Sequence, residues 1–123
     1  MPTSEPKYGL VIHGGAGTIL REKLTADLEE QIRQDLTRSL EAGYAVLEDD
    51  GAALDAVQAA VNVMEDSPHF NAGKGAVFTH DGANEQDATI VDGDSGRPGS
   101  VAGVRRIARP IDLARREIEK SPH

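Results

Sequence analysis

At 123 residues the chain has room for one domain and one hydrophobic core, with aromatics at only 3%, so aliphatic side chains must fill that core. Lysine and arginine total 13 against 21 aspartate and glutamate, a formal charge of -8 that works against attraction to nucleic acid or anionic lipid, and neither is expected as a partner. The lack of cysteine excludes a disulfide framework, a thiolate metal site and a cysteine nucleophile.

Residues 1–7 are polar and read as a disordered lead-in to a single domain over 8–123. The early apolar run Leu10-Val11-Ile12 is too short for a signal sequence or a membrane span, so the chain reads as soluble and cytoplasmic. Continuous apolarity over residues 8–12 predicts a strand buried on both faces, closed by a glycine turn at His13-Gly14-Gly15. Leu28, Ile32, Leu36, Leu40, Tyr44 and Leu47 then recur at helical spacing, with Thr25 placed as N-cap and Asp27, Glu29 and Glu30 in the first turn. That helix is expected to end near Gly51. A second one carries the stripe Leu54, Val57, Val61 and Met64, and Pro68 forbids its continuation past Ser67. Both helices are expected on one sheet face.

The glycine-paired stretch His69-Phe70-Asn71-Ala72-Gly73-Lys74-Gly75 predicts a sharply bent loop. Runs at 76–79 and 87–91 flank Asp81-Gly82, which predicts a hairpin, and residues 92–99 are dense in turn formers. A further strand is expected over 100–107, then a helix opening at Pro110 and broken at Pro122. The order predicts an α/β class of layered helices on mixed sheet. The ending at Pro122-His123, where another strand is expected, reads as a cut from a longer chain.

Several motifs have plain structural readings. Gly14-Gly15-Ala16-Gly17 matches neither the dinucleotide fingerprint nor the P-loop, and a tight turn accounts for it better. The histidines at 13, 69, 80 and 123 lack metal-ligand spacing, and Asp92-x-Asp94 opens like a calcium loop without completing one. Asp81, Glu85, Asp87 and Asp92 suit a solvated hairpin rim, and the arginines at 105, 106, 109, 115 and 116 a helix surface. Asn71 differs, because a carboxamide held rigidly between Phe70 and a small-residue turn serves either to pin the loop or to hold a substrate or catalytic group.

Taken in order, Ile12-His13-Gly14-Gly15-Ala16-Gly17, Phe70-Asn71-Ala72-Gly73-Lys74-Gly75-Ala76-Val77, Asp87-Ala88-Thr89-Ile90-Val91-Asp92-Gly93 and Val101-Ala102-Gly103-Val104 resemble the N-terminal part of the plant-type asparaginase/isoaspartyl peptidase family. The resemblance implies an incomplete αββα sandwich of the N-terminal nucleophile hydrolase type. Such proteins cut themselves before a threonine, and the two subunits stay together as a heterotetramer. Members hydrolyse L-asparagine and β-aspartyl dipeptides. The freed threonine is nucleophile through its hydroxyl and base through its own α-amine.

By position, His13-Gly14-Gly15 resembles the family's flexible loop near the cleavage site, and Asn71 an active-site asparagine that orders groups around the threonine. Residues 64–74 are similar to its sodium loop, with Met64, Glu65, Ser67, Phe70, Ala72 and Lys74 at the positions whose main-chain carbonyls bind the ion. The implied cofactor set is thus a structural sodium ion and no organic group. None of the threonines at 3, 18, 25, 37, 79 and 89 lies in the family's Gly-Thr-x-Gly-Ala-Val run, so no catalytic nucleophile is assigned and the chain alone is expected to be inactive. Its implied partners are a complementary C-terminal, β-subunit-like segment, an oligomer on completion, and L-asparagine or a β-aspartyl dipeptide. The alternative is a noncatalytic, shortened paralogue that binds such a partner or ligand. Gln86 and Arg109 depart from the family pattern, which commonly has an apolar residue and an asparagine there.

Overall fold

A computed structural model describes residues 7–15, 21–70, 72–73, 85–105 and 107–120. After a short helical turn at Arg21–Lys23, helix α1 runs over Ala26–Glu48. It starts where local chemistry directs: the Thr25 hydroxyl accepts the Leu28 N–H at 3.0 Å, and Asp27 and Glu29 face the positive end of the helix dipole. At the other end Asp50 N–H bonds the Leu47 carbonyl and Gly51 N–H the Val46 carbonyl, the paired bonds of a Schellman closure. The left-handed residue of that closure is Asp50, with φ 59°, rather than a glycine. Gly51 is required for a different reason, since a Cβ there would overlap Val46.

Helix α2, Ala53–Asp66, follows almost at once and stops at Ser67, whose φ of -90° and ψ of 138° are the extended values that a following proline imposes. The two helices pack row on row. Asp35, Ser39, Gly43 and Leu47 are the buried residues of α1, and Ala56, Ala60 and Met64 face them from α2, each set at four-residue spacing. A Cβ on Gly43 would come within 3.0 Å of the Ala56 carbonyl, and the Ser39 hydroxyl donates to the Ala60 carbonyl at 2.7 Å.

The seam therefore differs from the predicted one. Leu40, Tyr44 and Val57 keep over a third of their surface exposed. Small residues let the helix backbones approach closely, so they form the contact line and the larger apolar side chains flank it. The expected strand over residues 8–12 is absent: Leu10 instead lies over Gly43 of α1, Tyr8 meets Tyr44 edge to face at 5.4 Å, and Val11 is 92% exposed. This segment runs along a helix rather than between strands.

Strands β1, Gln86–Val91, and β2, Pro98–Val104, form an antiparallel hairpin. Asp92 organises its turn, accepting the Asp94 N–H and the Ser95 hydroxyl, which explains the calcium-like spacing as turn chemistry. The register slips by one residue between Gln86 and Ala88; Gly103, at φ 63°, supplies the bulge, and its N–H donates to Asp87. The hairpin expected around Asp81-Gly82, with its first strand at 76–79, lies outside the described residues.

Helix α3, Pro110–Lys120, covers the hairpin. Ile111, Ala114 and Ile118 join Ile90 in one buried cluster, against which Leu54 and Val61 of α2 and Ala88 and Val101 of the strands pack. Gly99 brings β2 so close that a Cβ there would overlap the Ala114 carbonyl. Among the described residues α3 lies directly on the hairpin, Leu54 and Val61 of α2 reach the same cluster, and α1 packs on α2, so this hairpin does not carry α1 and α2 side by side on one face. The architecture is mixed helix and small antiparallel sheet.

Candidate functional site

The C-terminal end of α2, the loop after it, the start of α3 and the His13-Gly14-Gly15 turn converge on one corner of the molecule. Phe70 is the hinge of that convergence. It is buried, and a Cβ on Gly14 would stand 3.3 Å from its ring and 3.4 Å from Leu36 of α1. A side chain larger than hydrogen at 14 would crowd the ring, so the glycine turn can lie flat against the loop. Within the turn His13 Nδ1 accepts the Gly15 N–H at 3.1 Å, and Gly15 takes φ 114°. Two motifs separated by more than fifty residues of sequence are thereby neighbours. Asn71 and Lys74, both singled out by sequence, lie outside the described residues.

After α2 the chain returns at Gly73 to the end of that helix. The Ser67 N–H bonds the Met64 carbonyl at 3.2 Å, and Gly73, at φ 49°, lies so close that a Cβ would overlap the Glu65 carbonyl and stand 2.8 Å from that of Ala108. Gly73 is thus packed tightly between the backbone at the end of α2 and the residue two before α3. Among the described residues no group of three or more histidines, aspartates and glutamates could hold a metal by side chains.

The side chain of Glu65 has a separate role that the sequence reading missed. It is 2% exposed, and its Oε2 accepts the Ile111 N–H at 3.0 Å, so a carboxyl from α2 caps α3. Among the described residues its buried Oε1 has no hydrogen-bond partner. Burial pushes its pKa up to about 7, against the Ile111 hydrogen bond, which lowers it, and with Asp112 and Asp66, which raise it further. A signal was present: Glu65 stands four residues after Val61, on the continuation of the stripe that Leu54 and Val61 bury. Beside it Arg109 grips Asp66 through two bonds, of 3.1 and 2.6 Å, tying the same two helices at the surface. The departure from the commoner asparagine at 109 thus supplies an ion pair between α2 and the residue that precedes α3.

On the α1 side, the Ser67 hydroxyl donates to Asp35 Oδ2 at 2.5 Å and accepts the His69 N–H at 3.1 Å, while Arg38 donates to Asp35 Oδ1. Burial raises the Asp35 pKa, but the hydrogen bonds from Ser67 and Arg38 outweigh it and the net direction is downward. A cleft of about 410 Å³ opens onto Asp35, Arg38, Ser67 and His69.

Comparison with known proteins points to one family. The family model described as Asparaginase matches residues 6–123. The isoaspartyl peptidase of Salmonella typhimurium is 44% identical over 117 residues, covering 95% of this chain and 37% of that protein. The isoaspartyl peptidase/L-asparaginase of Bos taurus is 43% identical over 93% of this chain and 36% of its own length, and the plant-type L-asparaginase of Pyrococcus abyssi is 43% identical with the same coverage. The chain spans about a third of the length of the curated relatives it matches. With a family match over nearly every residue, and its glycine turn packed against the loop that carries Phe70, the chain belongs to the asparaginase family.

Proposed function

We propose that this chain is the N-terminal part of an asparaginase and β-aspartyl peptidase, working on L-asparagine and isoaspartyl dipeptides with a threonine nucleophile supplied by a segment outside these 123 residues. The observation that carries the reading is the packing of Gly14 on Phe70, which sets the His13-Gly14-Gly15 turn beside the loop continuing into Asn71. In this reading the chain is the α-subunit-like half of an αββα sandwich. The outer face of the hairpin supports it: α3 covers one side, while Val91 remains 55% exposed and the Thr89 and Ser100 hydroxyls share a 2.7 Å bond at the surface.

The chain's own residues would act in support of the nucleophile. Asn71 orders groups around the threonine, and the glycine turn gives that segment room to move during cleavage. The carbonyls of Met64, Glu65, Ser67, Phe70, Ala72 and Lys74 would hold a sodium ion, which supplies a fixed positive point that keeps the loop before and after Asn71 in one shape. Threonine attack through its hydroxyl, assisted by its own amine, needs such rigid surroundings rather than further acid/base residues.

Mixing the chain with a polypeptide carrying the Gly-Thr segment of a relative, then following ammonia release from L-asparagine, tests the proposal. Activity that appears only in the mixture supports it. A complex that binds β-aspartyl dipeptides without turnover would point to the noncatalytic paralogue, and turnover by the chain alone would sink the assignment of the nucleophile to another segment.

A further inference from the structure

The chain contains three Asp-Gly pairs, Asp50-Gly51, Asp81-Gly82 and Asp92-Gly93, and the structure describes the first and the last. An aspartate followed by glycine carries a reaction latent in its covalent structure. The glycine nitrogen can close a five-membered ring on the aspartate Cγ, and a glycine, having no Cβ, leaves that nitrogen unshielded and free to rotate. In a folded protein the outcome depends on what else holds the nitrogen and the carboxyl.

The two described pairs differ on both counts. Gly51 N–H donates to the Val46 carbonyl at 2.8 Å in the closure of α1, and the residue is packed so tightly that a Cβ would overlap Val46. Its nitrogen is engaged. Gly93 is exposed, its N–H makes no hydrogen bond among the described residues, and nothing lies within 4 Å of the place a Cβ would take. The carboxyl of Asp92 is meanwhile folded back along its own backbone: Oδ1 accepts the Asp94 N–H at 3.2 Å and Oδ2 the Ser95 hydroxyl at 2.9 Å. To meet an amide two residues on, the side chain arches over the peptide that joins Asp92 to Gly93 rather than pointing out to solvent. The Ser95 oxygen accepts the Arg97 N–H at 3.2 Å, so its own proton is directed at Asp92.

We infer that Asp92-Gly93 is a self-modification site, where the hairpin turn promotes conversion of Asp92 to isoaspartate through a cyclic imide. In the first step the Gly93 nitrogen bonds to Asp92 Cγ, and one carboxyl oxygen leaves as water with the amide hydrogen and the carboxyl proton. The Asp94 N–H and the Ser95 hydroxyl donate to the oxygens on which negative charge builds as Cγ becomes tetrahedral. In the second step water adds to the main-chain carbonyl carbon of Asp92 and breaks its bond to the Gly93 nitrogen, which stays on Cγ. Water is the only co-reactant. The product has an extra methylene in the main chain between β1 and β2 and no longer presents the Asp92 carbonyl that the Gly96 N–H bonds at 2.7 Å, so the turn loosens.

The test ages the 123-residue chain in warm, mildly acidic buffer, folded or in urea. Peptide mass spectrometry with electron-transfer fragmentation, which separates isoaspartate from aspartate, reads each Asp-Gly pair on its own. In urea residues 50 and 92 should convert at similar rates. In the folded chain conversion at 92 should run at least as fast as in urea, while conversion at 50 falls about tenfold, the worth of a hydrogen bond that must first break. Gly93→Ala, tolerated by the open space there, should slow conversion at 92 several-fold and leave residue 50 unchanged. Ser95→Ala, which removes one donor, should also slow it several-fold. Conversion at 92 that is slower in the folded chain than in urea means that the turn protects the pair, and overturns the proposal. So does a rate at 92 that neither Gly93→Ala nor Ser95→Ala changes.

Discussion

Glu65, the penultimate residue of α2, accepts the backbone N–H of Ile111 at the start of α3 from 46 residues away. A side chain that caps its own helix is announced by its place in the sequence. This one caps a different helix, and it does so while buried, so its protonation is linked to folding. The folded carboxyl holds its proton up to a pH of about 7, whereas its ordinary value is 4.5. Between those values the native state binds a proton that the unfolded chain has released, so stability is full below about 4.5 and declines as pH rises toward 7. The whole span amounts to about 3 kcal/mol. Glu65→Gln, which cannot ionise, should remove this decline, and urea unfolding at intervals from pH 4.5 to 8 would show a flatter profile. Asp35 works in another window: its lowered pKa contributes stability above 3.8 that is lost as pH falls.

Gly73 clips the loop onto Glu65 from the other side, and the same position needs φ 49° and open space. Gly73→Ala should lift the loop off the end of α2, expose the Glu65 carboxyl and return its titration toward the ordinary range. A carbon-13 titration of the glutamate carboxyls would detect the shift. An unchanged Glu65 titration in this variant would mean that burial there comes from α3 alone.

Gly99 should be the least forgiving position of the hairpin. A methyl there overlaps the Ala114 carbonyl, backbone against backbone, and Ala114 is fully buried and has no room to give. Gly99→Ala is expected to destabilise the fold by about 3 kcal/mol, the upper part of the usual range for overpacking. Gly93→Ala, in a place where a Cβ meets nothing within 4 Å, should change stability little and serves as the control.

Asp50 offers a gain. It holds the left-handed position of the α1 closure, a conformation that is unfavourable for a residue with a Cβ, and it adds an acid next to Glu48 and Asp49 at the negative end of the helix. Asp50→Gly removes both penalties and should raise stability by about 1 kcal/mol in chemical denaturation.

Much of this was legible in the sequence because it is local. Thr25 capping, the stop at Ser67-Pro68, the opening of a helix at Pro110 and the turn at 92–97 each depend on residues within a few positions of one another, and the structure has them where periodicity and turn chemistry put them. The ordered motifs likewise carried the family, since their identity and spacing belong to the chain itself. Two local readings failed. Apolarity over residues 8–12 fits a strand, but a strand also needs a neighbouring edge, and those residues meet Gly43 and Tyr44 of a helix instead. The leucine stripe of α1 fits a core face, but the seam chose the small residues one position over.

The sequence by itself determined where most elements begin and end, the glycine positions that shape the turns, and membership of the asparaginase family. Only the tertiary structure decided that Gly14 lies on Phe70, that Glu65 caps α3 and that Asp35 reaches Ser67. The reason is physical: a hydrogen bond or a close packing contact depends on distance in space, and neither partner bears a mark in sequence that names the other across 32 or 46 residues.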